Sequence, residues 1–270
     1  MEQRTASKNA ARMFLDHFGL LPGRTDVLSL SRIVDEFSRI PWENLTKFLV
    51  KASGIPREGR LRSPDIVIRQ HIEDGTGGTC FSLTDTLGAV LSFAGFRCFP
   101  VMADMNHGMN IHCALSVFTS DGERYLADPG YLVPLPVRIP RGIAAGTEIH
   151  GQRMVWEPSA GDSYDLFTME DGGRTWRYRV RMAPVDREEF VLHWQNSFEA
   201  AGMNSLHANL RLDRQRLSAH NMNLRRTDGV DRSNEKLRDR YPLMMEENFG
   251  ISRRIAMEAE TEWRRSCLVR

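Results

Sequence analysis

The sequence predicts an α+β protein with a helical N-terminal unit, a mainly β middle and a mixed α/β tail. Three observations point there. Apolar residues before Ser82 recur at helical spacing. Between Phe96 and Pro184 they fall in short β-rich runs, one of them strictly alternating. Beyond Pro184, charged amphipathic stretches close the chain.

Ala11, Phe14, Leu15 and Phe18 form one face of a first helix, closed by Gly19. Residues 29–38 carry Leu30, Ile33, Val34 and Phe37 at the same spacing, and Pro41 follows as a breaker. Trp42-Glu43-Asn44-Leu45 comes next, and residues 51–64, rich in Gly, Pro, Arg and Ser, predict a loop. Pro64-Asp65 opens a helix through Ile66, Ile68 and His71, which ends in the irregular stretch Asp74-Gly75-Thr76-Gly77-Gly78. The next helix has Leu83, Leu87, Val90, Leu91 and Ala94 on one face, Thr79 as its N-cap and Gly95 as its stop.

Residues 96–103 predict a strand, 104–110 a loop and 111–118 a second strand. In the latter, Ile111, Cys113, Leu115 and Val117 face one way, and His112, Ala114, Ser116 and Phe118 the other. Ser120-Asp121-Gly122 turns the chain into a return strand that ends at Asp128-Pro129-Gly130. Further β-like runs lie at 133–139, 154–156, 164–169 and 176–182, with Asp171-Gly172-Gly173 as a hairpin turn. In the tail, 188–196 predicts a helix, 206–212 and 220–226 strands, and 233–248 and 252–267 amphipathic helices.

The chain of 270 residues is long enough for two or three structural units. Its formal net charge of +1 gives no bulk attraction for nucleic acid or an anionic membrane. Four cysteines in this length make no disulfide framework, and no C-x-x-C pair or histidine cluster suggests zinc. The start of the chain lacks an apolar signal core, and no apolar run approaches membrane-spanning length, so a reducing cytoplasm is the expected setting.

Chemistry points to Gly77-Gly78-Thr79-Cys80-Phe81. Cys80 falls in the first turn of its helix, where unpaired N–H groups and the helix dipole favour a thiolate. The glycine pair leaves room for a substrate beside the sulfur. Taken alone, the pentapeptide fits a cysteine buried under a helix start equally well. A thiolate nucleophile also needs a base, and the base an orienting group. Among the eight histidines, His17, His71 and His193 fall on expected helices, His107 in a loop, and His150, His207 and His220 have no acidic residue placed beside them. His112 precedes a hairpin whose far strand ends in Asp128. A three-residue Ser120-Asp121-Gly122 loop pairs Thr119 with Glu123, Ala114 with Asp128 and His112 with Gly130. His112 and Asp128 then share a face as diagonal neighbours, roughly 7–8 Å apart. A two-residue loop puts them on opposite faces. By itself, this placement is also compatible with an incidental pair.

Gly77-Gly78-Thr79-Cys80-Phe81-Ser82-Leu83, His112-x-x-Leu115-x-Val117 and Tyr125-Leu126-Ala127-Asp128-Pro129-Gly130-Tyr131 together resemble the arylamine N-acetyltransferase family, with its RGG-x-CFELN, H-x-x-L-x-V and YLVDVGFG elements. Ile40-Pro41-Trp42-Glu43-Asn44-Leu45 resembles the family's IPFENL, and Phe249-Gly250-Ile251 its C-terminal FGI. The resemblance implies an N-terminal helical bundle (1–85) carrying the nucleophile, a β-barrel (86–184) carrying histidine and aspartate, and a C-terminal α/β lid (185–270). It also implies a cysteine-protease-like Cys-His-Asp core, with Cys80 as nucleophile, His112 as base and Asp128 as the orienting carboxylate. Gly78, Phe81, Gly130, Tyr131 and Leu132 then fall against the substrates, while Glu43 and Asn44 stabilise structure nearby. No bound cofactor or metal is implied. The co-substrates are an acyl-CoA or a carrier-protein thioester and a small-molecule amine, joined by ping-pong transfer through an acyl-cysteine.

Several positions depart from the family pattern. Thr76 replaces its arginine, Ser82 its glutamate, Thr84 its asparagine and Leu132 a glycine beside the acyl pocket. The core residues persist while their surroundings change, which predicts retained acyl-cysteine chemistry with an altered donor or acceptor and weak acylation by acetyl-CoA. The leading reading is an acyltransferase forming an amide. The alternatives are an amide synthase of secondary metabolism that releases or cyclises a carrier-bound chain, a binding protein without turnover, and a cysteine hydrolase.

Overall fold

A computed structural model describes residues 2–149, 152–170, 172–229 and 231–268. Four helices form the N-terminal bundle: α1 (Glu2–His17), α2 (Val27–Phe37), α4 (Pro64–Asp74) and α5 (Cys80–Ala94). Their ends follow local chemistry. The Asp26 carboxylate caps α2 by accepting from Ser29 N–H at 2.8 Å. Pro64 opens α4, and α5 stops at Gly95, whose φ of 105° admits only glycine readily. Thr79 holds the N-cap position of α5 with extended backbone, but its side chain makes no capping bond. Leu83, Leu87, Val90, Leu91 and Ala94 all bury against Phe14, Ile33, Val34 and Phe37, so the predicted face is the packed face. Burial of each large side chain is worth about 1.5–3 kcal/mol. The helix runs unbroken across the expected boundary at residues 85 and 86.

The middle of the chain forms eight antiparallel strands. They are β2 (Arg97–Met105), β3 (Gly108–Phe118), β4 (Arg124–Ala127), β5 (Val137–Arg138), β6 (Ala145–Ile149), β7 (Gln152–Pro158), β8 (Ser163–Glu170) and β9 (Gly173–Arg181). Their spatial order is β5-β4-β3-β2-β9-β8-β7-β6, and β5 and β6 approach one another to leave a nearly closed barrel. Strand β3 is buried on both faces from His112 to Val117. Leu115 and Val117 pack on the helical bundle, and Ala114 packs inside the barrel with Leu126, Trp156 and Tyr178.

The third unit is a sheet ordered β1-β10-β11-β12-β13, comprising β1 (Trp42–Glu43), β10 (His207–Arg211), β11 (Arg216–His220), β12 (Asn223–Asp228) and β13 (Asp231–Lys236). Helices α3 (Leu45–Ala52), α7 (Tyr241–Phe249) and α8 (Arg253–Leu268) pack with it, while α6 (Arg187–Asn196) lies against the start of α5. The C-terminal Phe249-Gly250-Ile251 docks on the end of α4. Ser252 N–H donates to Asp74 O at 2.8 Å, and a Cβ on Gly75 would stand 1.9 Å from Gly250 O.

Several expectations are corrected. Residues 104–110 are not a loop, because β2 and β3 continue to a tight hairpin that pairs Met105 with Gly108. The strand expected over 220–226 begins only at Asn223, because His220 ends β11 and residues 221–222 turn the chain into β12, with Asn221 at a φ of 48°. Only Val137–Arg138 of the 133–139 run pairs as strand. The helix expected over 233–248 begins only at Tyr241. Its first part is the edge strand β13, exposed on both faces, so no apolar alternation marks it. Helix α3 and strand β6 have no counterpart in the sequence-based reading. His150 and Asp171 lie outside the described residues, the latter within an expected hairpin turn that is flanked by the pair Glu170 and Gly173.

Candidate active site

The β3–β4 hairpin has the register that a three-residue loop demands. Thr119 N–H donates to Glu123 O at 3.1 Å, Gly122 takes a φ of 83°, and Leu115 and Ser116 pair with Ala127 and Leu126. His112 and Asp128 therefore face the barrel interior together. Nε2 of His112 donates to Oδ2 of Asp128 at 3.0 Å, and both residues are buried. Cys80 lies beside the ring, next to Gly130, and its thiol donates to Ile111 O at 3.7 Å.

Two glycines make this approach possible. A Cβ on Gly77 would lie 1.8 Å from Pro41 O, so the segment before Cys80 can pass the Pro41-Trp42-Glu43 segment only as glycine. Glu43 N–H donates to Gly78 O at 3.0 Å and thereby fixes the turn. On the other side, a Cβ on Gly130 would lie 2.7 Å from His112 Cε1 and 2.8 Å from Cys80 Cβ. Gly130 is thus a flat wall against both residues.

Electrostatics follow from the packing. The Cys113 thiol bonds to the Cys80 sulfur and, with the His112 imidazolium and the Lys47 ammonium, holds Cys80 well below the ordinary thiol range despite its burial. Burial opposes charge on His112, but the Asp128 carboxylate and the Cys80 thiolate outweigh it and push its pKa up to about 10. Burial raises Cys113, and its hydrogen bond to Cys80 raises it further. Near neutral pH these directions describe a thiolate–imidazolium pair.

The site opens into a cleft of about 540 Å³ between the start of α5, the β2–β3 hairpin and the third sheet. Phe81, Gly130, Tyr131 and Leu132 line it. Gly78 does not; it packs against Ser82 and Arg62 behind Cys80. Leu132 is buried in the left-handed region at a φ of 53°. Glu43 accepts from both Thr46 N–H and Thr46 Oγ1, and Asn44 bonds to Gly202, Ser205 and His207, so the two residues join α3 and β10.

Other contributors were not singled out from sequence. The Tyr178 hydroxyl donates to Asp128 Oδ2 at 2.7 Å and accepts from Trp156 Nε1 at 3.0 Å. Asp128 Oδ1 accepts from Tyr131 N–H at 3.1 Å. The buried guanidinium of Arg62 donates to Gly77 O and Thr46 Oγ1, both at 2.7 Å, and so braces the turn that Thr76 does not. Their chain positions carry no spacing signal that links them to Cys80. Among the described residues, no group of three His, Cys, Asp or Glu side chains is arranged to hold a metal ion, and no helix is long and apolar enough to cross a membrane.

Residues 26–255 match the model of an N-acetyltransferase family. Among solved structures, the arylamine N-acetyltransferase of Mycobacterium smegmatis is 22% identical, with a TM-score of 0.77 over 92% of this chain and 96% of that one. The Mycobacterium tuberculosis enzyme is 19% identical, with a TM-score of 0.77 over 92% and 99%. The Mycobacterium marinum enzyme, in complex with CoA, is 16% identical, with a TM-score of 0.77 over 92% and 97%. At these identities the likeness is one of fold. No curated protein sequence matches the chain significantly.

Proposed function

Because the chain belongs to the arylamine N-acetyltransferase family, we propose that it transfers an acyl group from a coenzyme A thioester to an amine by way of an acyl-cysteine on Cys80. The observation that carries this reading is the meeting of Cys80 and His112 at one cleft, with Asp128 bonded to the ring from behind, the thiol held low and the imidazole high. Asp128 orients the ring and stabilises its positive charge. The Cys80 thiolate attacks the thioester carbonyl carbon, the bond from that carbon to the donor sulfur breaks, and the leaving thiolate takes the His112 proton. A neutral amine then attacks the acyl-cysteine. The bond to Cys80 sulfur breaks, His112 accepts the amine proton, and the thiolate–imidazolium pair is restored. No permanently bound cofactor takes part, and a reducing cytoplasm is the setting that keeps such a thiol free.

A second reading shares this chemistry. It is an amide synthase that takes its chain from an acyl carrier protein, and the position of Leu132 favours it. A branched side chain lines the cleft where the motif of the family has glycine, which fits a donor other than acetyl-CoA.

Intact-protein mass spectrometry after incubation with acetyl-CoA, longer acyl-CoAs and a pantetheine thioester tests both readings. One acyl adduct per chain is expected, mapped to Cys80 and absent in Cys80→Ala. Adduct with the pantetheine thioester alone selects the carrier-dependent enzyme. No adduct from any donor overturns acyl transfer.

A further inference from the structure

Two of the four free cysteines meet behind the cleft. Cys80 Sγ stands 3.7 Å from Ile111 O. Cys113, on the same face of β3 as Ile111, places its own Sγ 3.4 Å from Thr84 Oγ1. Thr84 lies one turn beyond Cys80 in α5, and its hydroxyl donates to Cys113 O at 3.3 Å. One turn of helix and one step of strand therefore hold the two sulfurs together, in a buried cluster with Phe81 and Met102. There the Cys113 thiol bonds to the Cys80 sulfur. The other cysteines are remote. Cys98 rests on Gly88 O and Ser92 Oγ further along α5, and Cys267 is exposed on α8.

The two sulfurs differ in access and in charge. Cys80 lines the cleft, whereas Cys113 is fully buried and does not. A small oxidant from solvent thus meets Cys80, whose thiolate is the reactive form. Burial and the neighbouring Cys80 charge keep Cys113 protonated. Oxidation of Cys80 to a neutral acid removes that charge. The Lys47 ammonium, near both sulfurs, stays behind to favour a second thiolate.

We propose that Cys80 and Cys113 form a reversible disulfide when the protein meets a peroxide, with Cys80 oxidised first and Cys113 as the resolving residue. The Cys80 thiolate attacks one peroxide oxygen, the O–O bond breaks, and the departing hydroxide takes a proton from solvent. The sulfur has given an electron pair to the peroxide and become a sulfenic acid. Cys113 sulfur then attacks Cys80 sulfur, the S–O bond breaks, and the leaving hydroxide combines with the Cys113 proton as water. The disulfide withdraws Cys80 from reaction and also keeps it from the sulfinic acid, which thiols do not reverse. A small thiol reopens the bond by exchange. None of these steps depends on acyl transfer.

Exposure of the full-length protein to hydrogen peroxide, with and without dimedone, tests this by intact mass and peptide mapping. The wild type should lose the mass of two hydrogens and show a cross-link between Cys80 and Cys113. It should take up little dimedone and regain alkylation at Cys80 after dithiothreitol. Cys113→Ala should instead take up dimedone at Cys80 and, without dimedone, gain oxygen that dithiothreitol does not remove. Cys98→Ala should behave as the wild type does. A wild-type protein that gains oxygen at Cys80 with no cross-link, or that peroxide leaves unchanged, overturns the proposal whatever becomes of the variants. So does a cross-link from Cys80 to Cys98, to Cys267 or to a second chain. A Cys113→Ala protein that resists irreversible oxidation as well as the wild type overturns it too.

Discussion

The Tyr178 hydroxyl donates to the same oxygen of Asp128 that receives His112, at 2.7 Å against 3.0 Å. One buried carboxylate oxygen is thus shared by His112 and by a residue fifty positions beyond Asp128 in the chain. The tyrosine is itself held by Trp156 from a third strand. Closure of the barrel, rather than the hairpin alone, sets where Asp128 sits.

Tyr178→Phe removes a hydrogen bond to a charged group and strands the Trp156 indole N–H. Bonds of this kind contribute about 1.5–3 kcal/mol. Urea unfolding should show a loss of that size. Alkylation of Cys80 should slow at the same time, because the His112 ring loses the fixed partner behind it. A variant with wild-type unfolding and wild-type alkylation would show that the shared oxygen is incidental.

The charge state of the site predicts its pH profile. His112 is raised to about 10 and Cys80 is lowered, so both groups are charged across the neutral range. Iodoacetamide should therefore label Cys80 at a rate that changes little between about pH 7 and pH 9, where a free thiol gains about tenfold per unit below its pKa. Cys98, raised by burial, and the fully buried Cys113 should react later. Asp128→Asn removes the charge that supports the imidazolium, so labelling at pH 7 should fall by about tenfold or more. The stability signs differ between the two groups. The folded pKa of His112 lies above its unfolded value of 6.5, so its contribution is complete below that value and fades as pH rises towards about 10. Cys80, lowered from 9.0, contributes above that value and loses the contribution as pH falls through its folded pKa. The stability gap between wild type and Asp128→Asn should accordingly narrow as pH approaches 10, and a widening gap counts against the assigned shift of His112.

Local rules reached α5 and the β3–β4 register because each is written in one short segment. A strict apolar period marks the helix, and a single turn length decides the face that His112 and Asp128 share. The same rules missed β13, whose residues are solvated on both sides and have no face to reveal. They could not reach Tyr178, Trp156, Arg62 or Lys47 either. Those contacts arise only when the barrel closes and when α3 packs on the segment after α6. Non-local pairing of this kind has no signature in spacing. Resemblance to the family supplied the unity of Cys80, His112 and Asp128, which periodicity alone left open.

Gly130 tests how tightly the site is assembled. In Gly130→Ala the new methyl meets His112 at 2.7 Å and the Cys80 Cβ at 2.8 Å, closer than carbon atoms approach one another. The imidazole and the thiol must separate to admit it, and a misplacement of about 1 Å can cost on the order of 10²-fold in rate. Alkylation at neutral pH and acyl-adduct formation should both fall steeply, with circular dichroism unchanged. Retained reactivity would mean that the single 3-10 turn at Pro129–Tyr131 yields instead of the pair.

Leu132 tests the donor side of the cleft. Its left-handed backbone, at a φ of 53° and a ψ of 38°, costs an L-residue about 1–2 kcal/mol and suits glycine. Its side chain is 5% exposed, and that burial returns about 1.5–3 kcal/mol. Leu132→Gly thus exchanges relieved strain for lost packing, and a change in stability of no more than about 2 kcal/mol is expected in urea. The effect on reactivity should be larger. A branched side chain on the cleft wall must shift before a pantetheine arm can occupy the same space, and overpacking of that kind costs about 1–3 kcal/mol. Acylation of Cys80 by acetyl-CoA should therefore be slow in the wild type and rise roughly 5- to 150-fold in Leu132→Gly. Single-turnover mass measurements on both proteins decide the matter. Rapid wild-type acylation, unchanged in the variant, would mean that the donor passes Leu132 without contact and that acetyl-CoA needs no further room.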